Sequence, residues 1–220
     1  ASTYLLGNSD VDTEISVQVG FVDGHGTSEG PLTSAPTAAV LNVNDPPVGV
    51  PTITGTATEG QVLTANTSGI SDADGLGTFS YQWLRNGLAV SGATTSTYLL
   101  GNADVGTQIS VQVSYLDGHG TSEGPLVSAQ SSVVINVNDP PVGVPMITGT
   151  ATEGQTLAIN TSGISDADGL GVFGYQWLRD GVVVSGRTAS TYLLGNADVG
   201  TRISVQVSYL DGHGTSEGPL

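Results

Sequence analysis

The feature that most constrains this chain is an internal period. STYLLGN occurs at 2–8, 96–102 and 190–196, and NVNDPPVGVP at 42–51 and 136–145. DGHGTSEGPL occurs at 23–32, 117–126 and 211–220, and every spacing is 94 residues. Between 48–126 and 142–220, 67 of 79 positions are identical. Self-similarity at a fixed period is the mark of repeated structural units, and identity this high points to recent tandem duplication. The chain then divides into 1–47, the back half of a repeat with its linker; 48–141, a complete repeat with its linker; and 142–220, a third repeat without its last strand. Both ends fall at arbitrary phases, which predicts that these 220 residues are a window on a longer array. Exchange of strands between chains accounts for the ends less well, because 1–47 and 142–220 duplicate a block of strands rather than complement each other.

Within the repeat, alternation at period 2 dominates. Over Thr107–Tyr115, Ile109, Val111, Val113 and Tyr115 share one face, and Gln108, Ser110, Gln112 and Ser114 the other. Phe79, Tyr81 and Trp83 alternate in the same way, as do Val133, Ile135 and Val137. Turn pairs at Glu59-Gly60, Asp74-Gly75, Asn86-Gly87 and Asp117-Gly118 break the pattern every dozen or so residues. Several short alternating strands in a unit of this size predict a β-sandwich. The expected strands lie near 51–56, 61–67, 79–85, 88–91, 96–100, 107–115 and 125–137. Trp83 falls on the third, where immunoglobulin-like sandwiches bury a tryptophan, and Tyr81 and Tyr98 are expected to pack with it.

Composition excludes several kinds of chemistry. There is no Cys and no Lys, and the net charge is -16. Disulfides and Cys-ligated zinc are impossible. Schiff-base and P-loop chemistry and lysine isopeptide cross-links are impossible too. A polyanion is repelled, so nucleic acid is excluded as a partner. No apolar run is long enough to span a bilayer as a helix, so no membrane insertion is expected. With 38 % hydrophobic and 11 % charged residues the chain can form a core, provided the charge is confined to particular places.

The acids of the full repeat are Glu59, Asp72, Asp74, Asp104, Asp117, Glu123 and Asp139, against the single base Arg85. All seven are expected in turns or in the linker. Sandwich topology puts Glu59 and Asp104 at one pole and Asp72, Asp74 and Asp117 at the other. Stacking repeats end to end would therefore gather Glu59, Asp104, Asn136, Asn138, Asp139, Asp166, Asp168 and Asp211 at one junction. Asp10, Asn44 and Asp45, facing Asp72, Asp74 and Asp117, occupy the matching positions one repeat earlier. Without counter-ions such a junction repels itself. An all-oxygen set rich in carboxylates suits Ca²⁺, which takes 6–8 oxygens in flexible geometry, and binding would couple to folding and rigidity. Ser71-Asp72-Ala73-Asp74-Gly75 resembles the first half of a calcium loop but lacks the distal glutamate of an EF-hand. The competing reading is of solvated turn acids that keep the protein soluble.

Asn136-Val137-Asn138-Asp139-Pro140-Pro141, followed by Asp166-Ala167-Asp168-Gly169, resembles the linker and DxD elements of cadherin-type repeats. The resemblance implies calcium positions at Asn138, Asp139, Asp166 and Asp168, with Glu59 as the first-turn glutamate and Asp104 as a further acid. Asn136 stands where those repeats carry an aspartate. Over all 220 residues the repeats, with ITGTATEGQ, SDADGLG, YQWLRDG and STYLLGNADVG, resemble the Ig-like or cadherin-like arrays of giant bacterial RTX-type, type I-secreted adhesins. That resemblance implies an extracellular, bacterial-surface, calcium-rich setting and a spacer or adhesive role.

Nothing in the sequence assembles an active site. His25, His119 and His213 recur in Asp-Gly-His-Gly turns without a nucleophile beside them, no G-x-S-x-G elbow is present, and the two acids of DADG lie too close on one loop to flank a sugar ring. The expectation is a non-enzymatic stalk whose partners are the neighbouring repeats. Two alternatives remain: a carbohydrate- or surface-binding module that gains by avidity, with Gln108, Ser110, Gln112 and Ser114 as a polar row, and a filament in which copies pack laterally.

Overall fold

A computed structural model describes residues 2–220. The described residues are all-β, with sixteen strands and three short 3-10 turns, at Asn8–Asp10, Asn102–Asp104 and Asn196–Asp198. Among the described residues no helix is long and apolar enough to cross a membrane. Compact packing divides the chain into two units, 1–57 with 61–99 and 107–133, and 58–60 with 100–106 and 134–220.

The first unit holds β1 (Gln18–Val22), β2 (Ser28–Thr33), β3 (Thr52–Thr54), β4 (Val62–Asn66), β5 (Ser80–Arg85), β6 (Leu88–Ala89), β7 (Thr97–Leu99), β8 (Ile109–Leu116) and β9 (Ser122–Val127). β1 and β2 form an antiparallel hairpin. The other strands make a three-stranded sheet, β3-β4-β7, and a four-stranded sheet, β6-β5-β8-β9. Alternation on β8 works as expected: Ile109, Val111, Val113 and Tyr115 are all buried. Trp83 has no exposed surface, stacks on Tyr98 at 5.6 Å between ring centroids, and donates its indole N–H to the Thr95 carbonyl. Tyr81 is only half-buried.

The last expected strand differs from 125–137. β9 begins at Ser122 and ends at Val127. Beyond it the Ser128 and Ser131 hydroxyls accept the Val111 and Ile109 N–H groups, both at 3.0 Å. The two serine N–H groups donate to the carbonyls of the same two residues. Hydroxyls thus replace backbone carbonyls along this edge, as serine and threonine side chains do when they compete with a ladder. Glu123 is also not in a turn: it is the second residue of β9, and it is buried.

The second unit holds β10 (Met146–Thr148), β11 (Thr156–Asn160), β12 (Gly174–Arg179), β13 (Val182–Val183), β14 (Thr191–Leu193), β15 (Ile203–Leu210) and β16 (Ser216–Glu217). Its sheets run β10-β11-β14 and β13-β12-β15-β16, with a core around Leu157, Trp177, Tyr192 and Leu194. The segments 58–60 and 100–106 belong to this unit through backbone bonds: Glu59 N–H to the Ile135 carbonyl, Gly60 N–H to that of Leu100, and Gly106 N–H to that of Val134. The packing division therefore falls inside the repeat 48–141 rather than at its linker.

Candidate metal centre

Three backbone segments of the second unit meet at one place, each fixed by its own local chemistry. The turn 58–60 is held to the linker by the Glu59 N–H bond and by a parallel bridge between Thr58 and Ile135. In the linker, the Asp139 N–H donates to Asp168 Oδ2 at 2.7 Å. In the Asp-Ala-Asp-Gly loop, Asp166 Oδ1 accepts the Asp168 N–H at 2.9 Å, the side-chain turn that aspartate favours. Gly169 follows at φ 95, a conformation open to glycine at little cost.

The result is a convergence of Glu59, Asp139 and Asp168, whose carboxylate oxygens lie within 4.8 Å of one another. Asp168 is buried, and the other two are half-buried. Two unit charges 4 Å apart repel by about 4 kcal/mol at an effective dielectric near 20. The base at ion-pair distance is His213, with Nε2 4.0 Å from Asp168 Oδ1. The Asn136 amide faces the same point. With its nitrogen inward it donates to Glu59 Oε2 at 3.1 Å and Asp168 Oδ1 at 3.0 Å; with its oxygen inward it meets only acceptors. The inward nitrogen bonds Glu59 and Asp168 only and is neutral, whereas a cation that takes the Asn136 oxygen and the three carboxylates together would offset their charge. Val137 N–H also donates to Glu59 Oε2, and Asn102 Nδ2 to Asp139 Oδ2.

The other expected ligands have different surroundings. Asp166 Oδ2 accepts the Tyr209 hydroxyl. Burial, that hydrogen bond and the nearby carboxylates push the Tyr209 hydroxyl well above its ordinary pKa. Asp211 Oδ1 accepts the His213 and Thr215 N–H groups, while its Oδ2 is buried without a partner. Burial raises the Asp211 pKa, but the backbone donors outweigh it and hold the carboxyl below its usual range. Asn138 donates to Glu217 Oε1 at 2.8 Å. Asp104 Oδ2 turns back to the Gly101 N–H at the 3-10 turn, so Asp104 is outside the trio.

The first unit repeats part of this arrangement. Asp45 N–H donates to Asp74 Oδ2 at 2.6 Å, Asn8 Nδ2 to Asp45 Oδ2 at 2.7 Å, and Asn44 Nδ2 to Glu123 Oε1 at 2.8 Å. Tyr115 hydroxyl donates to Asp72, Asp117 Oδ1 accepts two turn N–H groups, and Asp10 accepts the Tyr4 hydroxyl and the Gly7 N–H. Asn42 Oδ1, Asp74 Oδ1 and Asp117 Oδ2 are buried without partners.

Glu123 and Glu217 were not among the expected site residues. Each clamps a linker asparagine 79 positions before it. Their recurrence in SEGPL at the 94-residue interval was visible, but a turn assignment hid that they are buried residues of otherwise largely exposed strands. The sequence matches no protein-family model, and no curated protein is similar to it.

Proposed function

We propose that this chain is a structural spacer: tandem Ig-like or cadherin-like sandwiches in an extracellular bacterial stalk, stiffened where repeats join by Ca²⁺. The observation that carries this reading is the convergence of Glu59, Asp139 and Asp168, with Asn136 facing them. One residue comes from a turn of the second repeat, two from the linker, and one from the first long loop of the third. A cation held by this set ties the three segments together, so ion binding and junction stiffness are one event. The donors are all oxygen and irregularly arranged, which suits Ca²⁺ better than the octahedral, water-rich shell of Mg²⁺.

The carbohydrate-binding alternative rests on the polar row of β8. That row is not free: Ser110 is buried, and the Gln108 amide donates to the Ser131 carbonyl. Isothermal titration of the chelator-stripped chain with Ca²⁺ tests the proposal. The expected result is saturable binding, with Asp168→Asn lowering affinity at least about tenfold, in line with loss of more than about 1.4 kcal/mol of charged ligation. Absence of binding heat in the parent chain, or equal affinity in the variant, rejects the site.

A further inference from the structure

Two asparagines stand apart from the others. Asn66-Thr67-Ser68 and Asn160-Thr161-Ser162 are the places in the sequence where an asparagine is followed two residues later by serine or threonine. That spacing is the acceptor pattern for N-linked glycan on the surface of a secreted chain. The tripeptide alone decides little; its presentation decides more. Asn66 ends β4 and Asn160 ends β11. Both are exposed, and so are Ser68 and Ser162.

The two ends of each amide have different duties. Asn66 Oδ1 accepts the Ser68 N–H and Asn160 Oδ1 the Ser162 N–H, both at 2.9 Å, the side-chain turn that asparagine favours. The nitrogens of the same amides donate to no partner among the described hydrogen bonds. By contrast, the amide nitrogens of Asn8, Asn44, Asn102 and Asn138 all donate to carboxylates. The turn beneath is firm. Ile70 N–H donates to the Thr67 carbonyl and Ile164 N–H to that of Thr161, both at 3.0 Å, and both isoleucines are buried. The surroundings leave room. Asn66 lies opposite Thr52 on β3 and Asn160 opposite Met146 on β10, outer strands of their sheets that carry no charged residue. Met146 is 63 % exposed, and the C–H face of a sugar beside it would take that apolar surface out of water.

We propose that Asn66 and Asn160 are acceptors for N-linked glycan. The donor class is a saccharide joined through its anomeric carbon to a lipid pyrophosphate. In the transfer, a bond forms between asparagine Nδ2 and the anomeric carbon, and the bond from that carbon to the pyrophosphate oxygen breaks. One amide proton passes to a base of the transferase, and the lipid pyrophosphate leaves with the electron pair. The linked nitrogen keeps one hydrogen, and Oδ1 remains free to accept the serine N–H, so the turn at 66–68 survives the modification. Both asparagines lie outside the carboxylate trio, and the modification is independent of Ca²⁺.

The test is production of the full chain, behind a secretion signal, in a cell whose secretory compartment holds an N-x-S/T transferase and its lipid-linked oligosaccharide. Intact mass and peptide maps are taken of all chain recovered from that compartment. The expected mass is that of the chain with two glycans, both released by a peptide-N-glycan amidase with aspartate left at 66 and 160. Asn66→Gln and Asn160→Gln are each expected to lose one glycan, and the double variant both. Ser68→Ala keeps the amide and is expected to lose the glycan at Asn66 alone. The glycosylated chain is expected to melt no lower than the double variant, which lacks both side-chain turns. A chain without glycan, a glycan that persists in the double variant, or a glycosylated chain that melts below the double variant overturns the proposal.

Discussion

Asp198 accepts hydrogen bonds from the Gly195 N–H at 2.8 Å, the Tyr192 hydroxyl at 2.8 Å and Arg179 Nε at 2.7 Å. Burial raises its pKa, but these donors and the Arg179 charge outweigh burial and hold the carboxyl below its ordinary range. A lowered folded pKa means that the ionised form stabilises the fold. That contribution is complete above the unfolded value, about 3.9, and is lost as pH falls from there through the lowered folded value. Denaturation midpoints followed from neutral to strongly acid pH should therefore drop steeply at the acid end. Asp198→Asn should lower the midpoint at neutral pH and flatten the acid slope. An unchanged slope would show that the carboxylate is not coupled to folding. Asp168 is buried too, but its neighbours include two more carboxylates. The same residue type serves as an internal brace at the 3-10 turn and as a candidate ligand at the linker, and only its partners distinguish the two.

At the scale of elements, the Asp-Ala-Asp-Gly loop is positioned by a close approach. The Gly212 N–H donates to the Asp168 carbonyl at 3.0 Å, and a Cβ on Gly212 would stand 2.4 Å from that same oxygen. Gly212→Ala must push 166–169 away from the β15–β16 turn. Overpacking of this kind costs about 1–3 kcal/mol, and it should move Asp168 off Glu59 and Asp139. Both the thermal midpoint and the Ca²⁺ affinity should fall; full affinity in a destabilised variant would separate the loop from the site. Much of this was legible in the sequence. Ile109, Val111, Val113 and Tyr115 alternate in the sequence and are buried in the structure, and Glu59 of a pole turn, Asp139 of the linker and Asp168 of the next repeat's loop, expected at one junction, have carboxylate oxygens within 4.8 Å of one another. Asp104 and Glu123 were not legible. Period-2 patterning places a side chain on a face, but it does not register the local capping bond of the 3-10 turn, in which Asp104 folds back onto the Gly101 N–H three residues before it. The end of the last strand was hidden for a similar reason: Ser128 and Ser131 look like ordinary strand residues until their hydroxyls are seen to replace the ladder.

At the scale of the whole molecule, the acids are concentrated where segments meet, and the sandwiches themselves carry little charge on their strands. Each unit has a thin core with few aromatics beyond Trp83 or Trp177 and their stacked tyrosines. Ligands that bind only the folded state add stability by mass action, about 2.7 kcal/mol at a hundredfold excess over Kd, which is a large fraction of what a domain of this size holds. The most direct measurement of the central claim is the thermal unfolding of the chain by calorimetry, in chelator and in saturating Ca²⁺. The spacer account predicts a rise of several degrees in Ca²⁺, absent in Asp168→Asn and not reproduced by Mg²⁺. Superimposable scans with and without Ca²⁺ would contradict it.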